Sequence, residues 1–101
     1  MESCRIRLLD PCSEIEIALV AERMRATLVE VLGEERGYGM YTLDWLQDRV
    51  RYHLDGRCRG AVFVAESGCE IVGHTIVRVE PDEDGKDIGL FSTIYVLPEV
   101  R

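Results

Sequence analysis

The sequence predicts an α+β domain in which a strand and two helices precede a three-stranded antiparallel meander. Two observations lead to this prediction. Apolar residues recur at helical spacing as far as Gly56, and beyond that residue the period changes from 3.6 to 2. Short polar turns then separate three apolar segments, as in strands joined by hairpins. A chain of 101 residues holds one small domain, and we assign residues 1–101 to it.

Composition and charge exclude several classes of protein. The hydrophobic fraction of 47% is ordinary for a globular domain, and the net charge of −7 argues against a nucleic-acid surface. No segment approaches the roughly 18 apolar residues of a membrane span. The first residues lack the basic and apolar regions of a secretory signal. We therefore expect a cytoplasmic protein with no nucleic-acid or membrane partner.

The cysteines indicate neither a metal site nor a redox pair. They occur singly, with no Cys-x-x-Cys spacing, at Cys4, Cys12, Cys58 and Cys69. In a reducing cytoplasm such residues are expected to be free thiols, and no metal is expected.

The first half of the chain reads as a strand followed by two helices. Residues 5–9 form a short apolar run, and Ser13 opens a helix with Glu16 in a Ser-x-x-Glu capping box. Gly33 ends that helix, and residues 34–41 are predicted to be a glycine-rich loop. The apolar face of the first helix is predicted to contain Ile17, Val20, Ala21, Met24, Leu28, Val31 and Leu32.

The second helix and the meander complete the pattern. Leu43, Leu46, Val50 and Leu54 form the apolar stripe of a helix over residues 43–54, with Thr42 or Asp44 as its cap. The three strands that follow are predicted at residues 61–66, 71–80 and 88–97, with turns at 67–68 and 81–87.

Two segments resemble the GCN5-related N-acetyltransferase (GNAT) superfamily. Residues 64–73 read Val-Ala-Glu-Ser-Gly-Cys-Glu-Ile-Val-Gly, and residues 94–101 read Ile-Tyr-Val-Leu-Pro-Glu-Val-Arg. In that family the second segment is followed by an Arg/Gln-x-x-Gly-x-Gly/Ala loop, and Arg101 matches its first position. The resemblance covers essentially the whole chain. It implies the N-terminal half of a three-layer acyl-CoA N-acyltransferase fold, and hence a partial domain.

The resemblance also implies an activity, the transfer of an acetyl group from acetyl-CoA to a small-molecule or peptide amine. The fourth strand of the family, here residues 88–97, would bind the pantetheine arm through the main chain of Ile94, Tyr95 and Val96, as in strand addition. Arg101 would stand at the entrance of the pyrophosphate site. The alternative is that these strand residues only fill the layers on either side of the sheet.

The loop between the two helices is the predicted acceptor site. The resemblance places part of the acceptor wall there, and Tyr38 and Tyr41 are our substrate-binding candidates. The alternative is a connector whose tyrosines cover the edge of the core. Trp45 is expected to be a packing anchor.

The sequence identifies no catalytic residue. Ser92 and Thr93 can hold a water molecule but cannot act as bases near neutral pH. Glu66 and Glu80 are expected to be solvated at strand ends. His53 and His74 have no visible carboxylate or cysteine partner, so we assign them to packing or to the surface.

The strand at residues 88–97 is also a predicted partner surface. An apolar strand at the edge of a sheet invites pairing, and we expect it to bind a second copy of the chain or a complementary C-terminal half. The alternative function is therefore a non-catalytic module that acts through this edge. A third interpretation is a small α+β domain with a chance likeness to the family.

Overall fold

A computed structural model, which describes residues 4–101, shows three helices and a four-stranded sheet. The predicted α+β class and the order of strand, helices and meander are confirmed. The elements are β1 Cys4–Leu8, α1 Glu14–Leu32, α2 Glu34–Met40, α3 Leu43–Leu54, β2 Arg59–Ser67, β3 Glu70–Pro81, β4 Asp87–Val96 and a 3₁₀ turn at Pro98–Val100.

The sheet is antiparallel throughout, in the order β1-β2-β3-β4, so β1 and β4 are its two edges. The predicted hairpin between β2 and β3 is confirmed, but its turn lies at residues 68–69 rather than 67–68. The reason is Gly68, whose φ of 62° is in the left-handed region that favours glycine.

The start of α1 shows half of the predicted capping box. The Ser13 hydroxyl accepts the Glu16 N–H at 3.2 Å, but the Glu16 carboxylate does not bond back to Ser13. It binds the Arg7 guanidinium instead, through two bonds of 3.1 and 2.7 Å, and this lowers the pKa of Glu16. Arg7 also binds Glu66, whose side chain is only 22% exposed and not solvated as expected. These ion pairs join β1, α1 and β2.

The helices cover one face of the sheet and form the core with it. Successive strand residues point to opposite faces, and the buried residues of β2, Val62 and Val64, alternate in this way. On β3, residues 71–74 are buried in succession and Ile76 follows them. One prediction about α1 is wrong: Val31, assigned to the apolar face, is 74% exposed. The buried apolar cluster contains Leu9, Ile17, Val20, Ala21, Leu46, Val50, Val62, Val64, Ile71 and Ile76.

The loop predicted at residues 34–41 is wrong, because residues Glu34–Met40 form the helix α2. Gly37 allows α2 to pack closely against α1. A Cβ atom at this position would lie 2.6 Å from the Val29 Cγ2 atom of α1, so only glycine lets the two helices approach so closely. Glu34 and Glu35 lie in the first turn, where carboxylates favour the positive end of the helix dipole.

The opposite face of the sheet is apolar and exposed. Within residues 4–101, α1 and α3 pack on the other face and α2 packs on α1, and this side of the sheet holds the core. The large side chains that remain exposed here include Ile6, Leu8, Phe91 and Ile94. Several large apolar side chains exposed on one face are an unusual feature for a monomeric protein. None of the helices in the described part of the chain is long and apolar enough to cross a lipid bilayer.

Candidate functional site

A cavity of about 380 Å³ opens on the helix side of the sheet, between α1, α3, β3 and β4. Apolar side chains form its base, and polar or aromatic residues form its walls. The polar and aromatic residues are Thr27, Tyr41, Trp45, Arg49, His53, Arg78 and Thr93. Such a mixture of an apolar base and a few convergent polar groups is typical of a small-molecule site.

The aromatic wall of this cavity contains one of the two predicted substrate-binding residues. Tyr41 directly follows α2, and its ring lies 5.6 Å from that of Trp45. Trp45 is 51% exposed, so it lines an opening rather than anchoring the core as expected. Tyr38 is not among the described residues of the cavity. Its exposed ring lies 4.6 Å beneath the Arg25 guanidinium.

His53 lines the cavity and has a buried ring nitrogen without a hydrogen-bond partner among the described residues. Its side chain is 4% exposed, and Nδ1 lies 2.8 Å from the Arg49 carbonyl oxygen. A carbonyl can only accept, so we assign the proton of the neutral ring to Nδ1, which leaves a lone pair on Nε2. Nε2 has no hydrogen-bond partner among the described residues. Burial, reinforced by the Arg49 and Arg78 charges, lowers the pKa of His53 against the opposing effect of the carbonyl bond.

Two arginines give the cavity a positive wall. The Arg49 guanidinium lies 4.7 Å from the ring of Tyr52 and 5.9 Å from that of Trp45. Arg78 donates to the Glu80 carboxylate at 3.0 Å. Glu80 is therefore paired, and neither it nor Glu66 is among the described residues of the cavity. The cavity has no acidic residue in its described wall.

The open edge of β4 runs beside this cavity, since Thr93 and Ile94 line it. The Leu97 N–H bonds to the Val72 carbonyl, so alternation along an antiparallel ladder turns the main chain of Tyr95 toward β3. The main-chain groups of Ile94 and Val96 then face away from the sheet. Within residues 4–101 no strand pairs with that edge.

Arg101 returns to the same edge. Its Nε donates to the Val96 carbonyl at 2.7 Å, which fits the outward direction inferred for that carbonyl. Its guanidinium also lies 5.7 Å from the ring of Tyr95 and 3.8 Å from the Glu30 carboxylate. The structure therefore brings Ile94, Tyr95, Val96 and Arg101 together, whereas Tyr38 lies apart from them and from the cavity. The binding roles of these residues stay predictions.

His74 lies in the core behind the edge strand. Its ring stacks on Tyr95 at 5.7 Å with an interplanar angle of 13°, and Arg23 lies over the same tyrosine. Burial, and to a lesser extent the charge of Arg23, lowers the pKa of His74 to about 4. Neither ring nitrogen has a hydrogen-bond partner among residues 4–101. His74 is consequently neutral at physiological pH and belongs to the packing, as expected.

Arg49 and Arg78 were not predicted from the sequence to line a site, and His53 was assigned to packing or to the surface. A signal for them exists in the periodicity. His53 continues the buried stripe of Leu46 and Val50 on α3, and Arg78 occupies the same face of β3 as Ile76. Polar residues at inward positions are informative because burying them is unfavourable unless they have a partner. Residues 4–101 contain no group of three or more His, Cys, Asp or Glu side chains placed to hold a metal ion.

Comparison with known structures shows which fold this is. A possible acetyltransferase from Clostridium difficile 630 matches 99% of this chain with a TM-score of 0.77 and 19% identity. A ribosomal-protein-alanine N-acetyltransferase from Brucella melitensis biovar Abortus 2308 matches 98% with a TM-score of 0.59 and 19% identity. Glucosamine-6-phosphate N-acetyltransferase from Arabidopsis thaliana matches 99% with a TM-score of 0.57 and 16% identity.

The chain spans 61%, 60% and 64% of the lengths of these three structures, which is less than two thirds of each. No family model and no curated protein matches the sequence. The predicted GNAT-like fold is thus confirmed, in a form that covers part of the matched structures. At this level of identity the likeness concerns the fold alone.

Proposed function

We propose that this chain is part of a GNAT-type N-acetyltransferase that moves an acetyl group from acetyl-CoA to an amine. The observation that carries the proposal is the position of the open β4 edge directly beside the helix-side cavity. Acetyl transfer needs a thioester and an amine held next to each other, and these two surfaces are adjacent. The fold shared with solved acetyltransferases supports the same activity.

The edge of β4 fits the pantetheine arm of acetyl-CoA, which supplies the acetyl thioester. Pantetheine carries two amides, and an unpaired strand can offer them hydrogen bonds as it would to another strand. The main-chain groups inferred to face outward are those of Ile94 and Val96. The main chain of Tyr95, which was predicted to bind pantetheine as well, is turned toward β3, and its ring stacks on His74. Arg101 would release the Val96 carbonyl and turn its guanidinium toward the pyrophosphate.

The acceptor amine would enter the helix-side cavity. Tyr41 and Trp45 would form its aromatic wall, and Thr93 lies between that wall and the β4 edge. Tyr38 is exposed and is not among the described residues of the cavity, so its role in substrate binding stays a prediction. A small-molecule or peptide amine suits this arrangement. Completion of the pyrophosphate site requires the glycine loop that follows the position of Arg101 in the family.

A titration of the ¹⁵N-labelled chain with acetyl-CoA tests the proposal. We expect saturable amide shifts at Ile94 and Val96, because their N–H groups face the ligand. Ile94→Pro removes one such N–H at an edge, where proline is tolerated, and should weaken binding about fivefold.

Ile6→Pro is the matched control. Ile6 is as exposed as Ile94 and lies on the other edge strand, β1. The Leu9 N–H bonds to the Val62 carbonyl, so alternation turns the Ile6 main chain outward as well. Equal weakening by both prolines, or no saturable shift at β4, would reject the proposed binding edge.

The exposed apolar face favours a second candidate, a non-catalytic module that acts through its sheet. In this function the β4 edge pairs with a second copy or with a complementary C-terminal half, and the apolar side chains around Phe91 and Ile94 become buried. Sedimentation velocity at micromolar concentration distinguishes the two candidates. A stable monomer that still binds acetyl-CoA would exclude pairing between two copies as the main function.

A further inference from the structure

The helix-side cavity has positively charged walls, whereas the chain as a whole is negatively charged. The protein carries a net charge of −7, yet the charged groups that line this cavity are the guanidinium groups of Arg49 and Arg78. Like charges that share one wall repel each other unless an anion lies between them. A local reversal of sign of this kind attracts ligands of the opposite charge.

Arg49 contributes more to the positive charge of this wall than Arg78 does. No carboxylate pairs with it among residues 4–101; the neighbours that hold it are the aromatic faces of Tyr52 and Trp45. Stacking of this type fixes the plane of the guanidinium and leaves its N–H groups able to donate. Arg78 is partly neutralised by Glu80, so it adds to the wall without dominating it.

His53 lies in the same wall and reports on its occupancy. Its Nδ1 bonds to the Arg49 carbonyl, whereas Nε2 has no partner among the described residues and is itself buried, so a ligand in the cavity contacts the ring and not this nitrogen. Because the ring is bonded to the main chain of Arg49, a ligand bound at Arg49 changes the surroundings of His53.

We propose that this cavity binds a small molecule that carries an anionic oxygen group. The anionic oxygens bind at Arg49 and Arg78. The volume of about 380 Å³ is near the lower end for ligand pockets and suits a molecule of amino-acid size. Phosphate and carboxylate both satisfy the arginine wall.

The inference rests on the proposed function for its last step, the identification of this ligand as the acetyl acceptor. It then restricts the acceptor to amines that also bear a carboxylate or a phosphate. A purely cationic amine would meet two guanidinium groups with no acidic residue in the described wall. The binding claim itself does not depend on acetyl-CoA.

The test is an NMR titration of the 101-residue chain with three amines at constant ionic strength. The probes are β-alanine, phosphoethanolamine and ethylamine, which carry a carboxylate, a phosphate and no anion respectively. The readouts are the imidazole signals of His53 and the indole N–H of Trp45. We expect saturable shifts with at least one of the first two probes, which also identifies the preferred anion, and none with ethylamine at tenfold higher concentration.

Arg49→Gln should weaken binding of the responding probe at least about tenfold, because it removes a charge-assisted contact. Arg51→Gln is the matched control on the same helix. Arg51 pairs with Glu14 and is not among the described residues of the cavity, so its loss should leave binding unchanged. Far-ultraviolet circular dichroism of each variant checks that the fold persists.

Three outcomes would overturn the inference: no saturable shift with any probe, an equal response to ethylamine, or equal weakening by both arginine variants. Failure here is distinguishable from failure of the proposed function. The anion site is read at His53 and Trp45, whereas acetyl-CoA binding is read at the amides of Ile94 and Val96. Either result can therefore stand without the other.

Discussion

The two faces of the sheet have similar apolar strands but opposite surroundings. On the helix side, Val62, Val64 and Ile76 are fully buried, and the cavity and both histidines lie among them. On the other side, Phe91 and Ile94 remain more than half exposed. The difference teaches that the helix-covered face holds the buried core and the cavity, whereas the other face leaves large apolar side chains exposed.

The test with the largest expected effect replaces isoleucine by alanine on each face of the sheet. Ile76→Ala should lower the free energy of unfolding by about 2–5 kcal/mol, because it leaves a cavity in the core. Ile94→Ala should change it by less than about 0.5 kcal/mol, since that side chain is 61% exposed. Urea unfolding of dilute protein measures both values. Similar losses at the two positions would mean that the exposed face is covered in solution.

A second test uses the buried histidine of the helix side. The pKa of His74 is about 4 in the folded chain and near 6.5 when unfolded, so the unfolded state takes up the proton first. The contribution to stability is complete above pH 6.5 and is lost as the pH falls toward 4. We expect a loss of about 2 kcal/mol between pH 7 and pH 5 in urea unfolding. His53, with its pKa lowered in the same direction, adds to it.

His74→Phe is the control for this pH dependence. The phenyl ring keeps a partner for Tyr95 but cannot be protonated. The variant should therefore lose most of the slope between pH 7 and pH 5 and retain the smaller part due to His53. An unchanged slope would show that His74 is not buried in a neutral form.

The test with the smallest expected effect compares two glycines of α2, one packed against α1 and one not. Gly37→Ala should destabilise the chain by about 1–3 kcal/mol, because its Cβ would overlap Val29 of α1. Gly39→Ala meets no atom within 4 Å and should be neutral or stabilising by up to about 1 kcal/mol. Thermal unfolding followed by circular dichroism compares the two. A reversed order would mean that α2 does not pack against α1 as described.

Local sequence signals predicted most of the elements. The helical periodicity and the Ser13 cap located α1, the apolar stripe of residues 43–54 located α3, and the alternation after Gly56 located the meander. Of the two caps considered for α3, Thr42 and Asp44, the structure shows Thr42. The helix α2 was not predicted, because its two internal glycines indicate a loop when they are judged by propensity alone. Gly37 matters because it lets α2 lie close to Val29 of α1, and no local sequence pattern reveals that contact.

The candidate site was predictable only in part. The resemblance selected the edge strand and Tyr41, and the structure places them side by side. It did not reveal that Glu16 and Glu66 are held by Arg7, or that Arg49, His53 and Arg78 share one wall. Those relations join residues that are distant in sequence.

The sequence by itself determined the order of the elements, the alternation of side chains along the strands and the likeness to acyltransferases. It could do so because capping, periodicity and turn chemistry act over a few neighbouring residues. Tertiary structure alone decided which face the helices cover, the tautomer and lowered pKa of His53, and the positive charge of a cavity in an acidic chain. Burial and electrostatic interactions depend on which distant residues meet in space, and that is set only when the helices pack on the sheet.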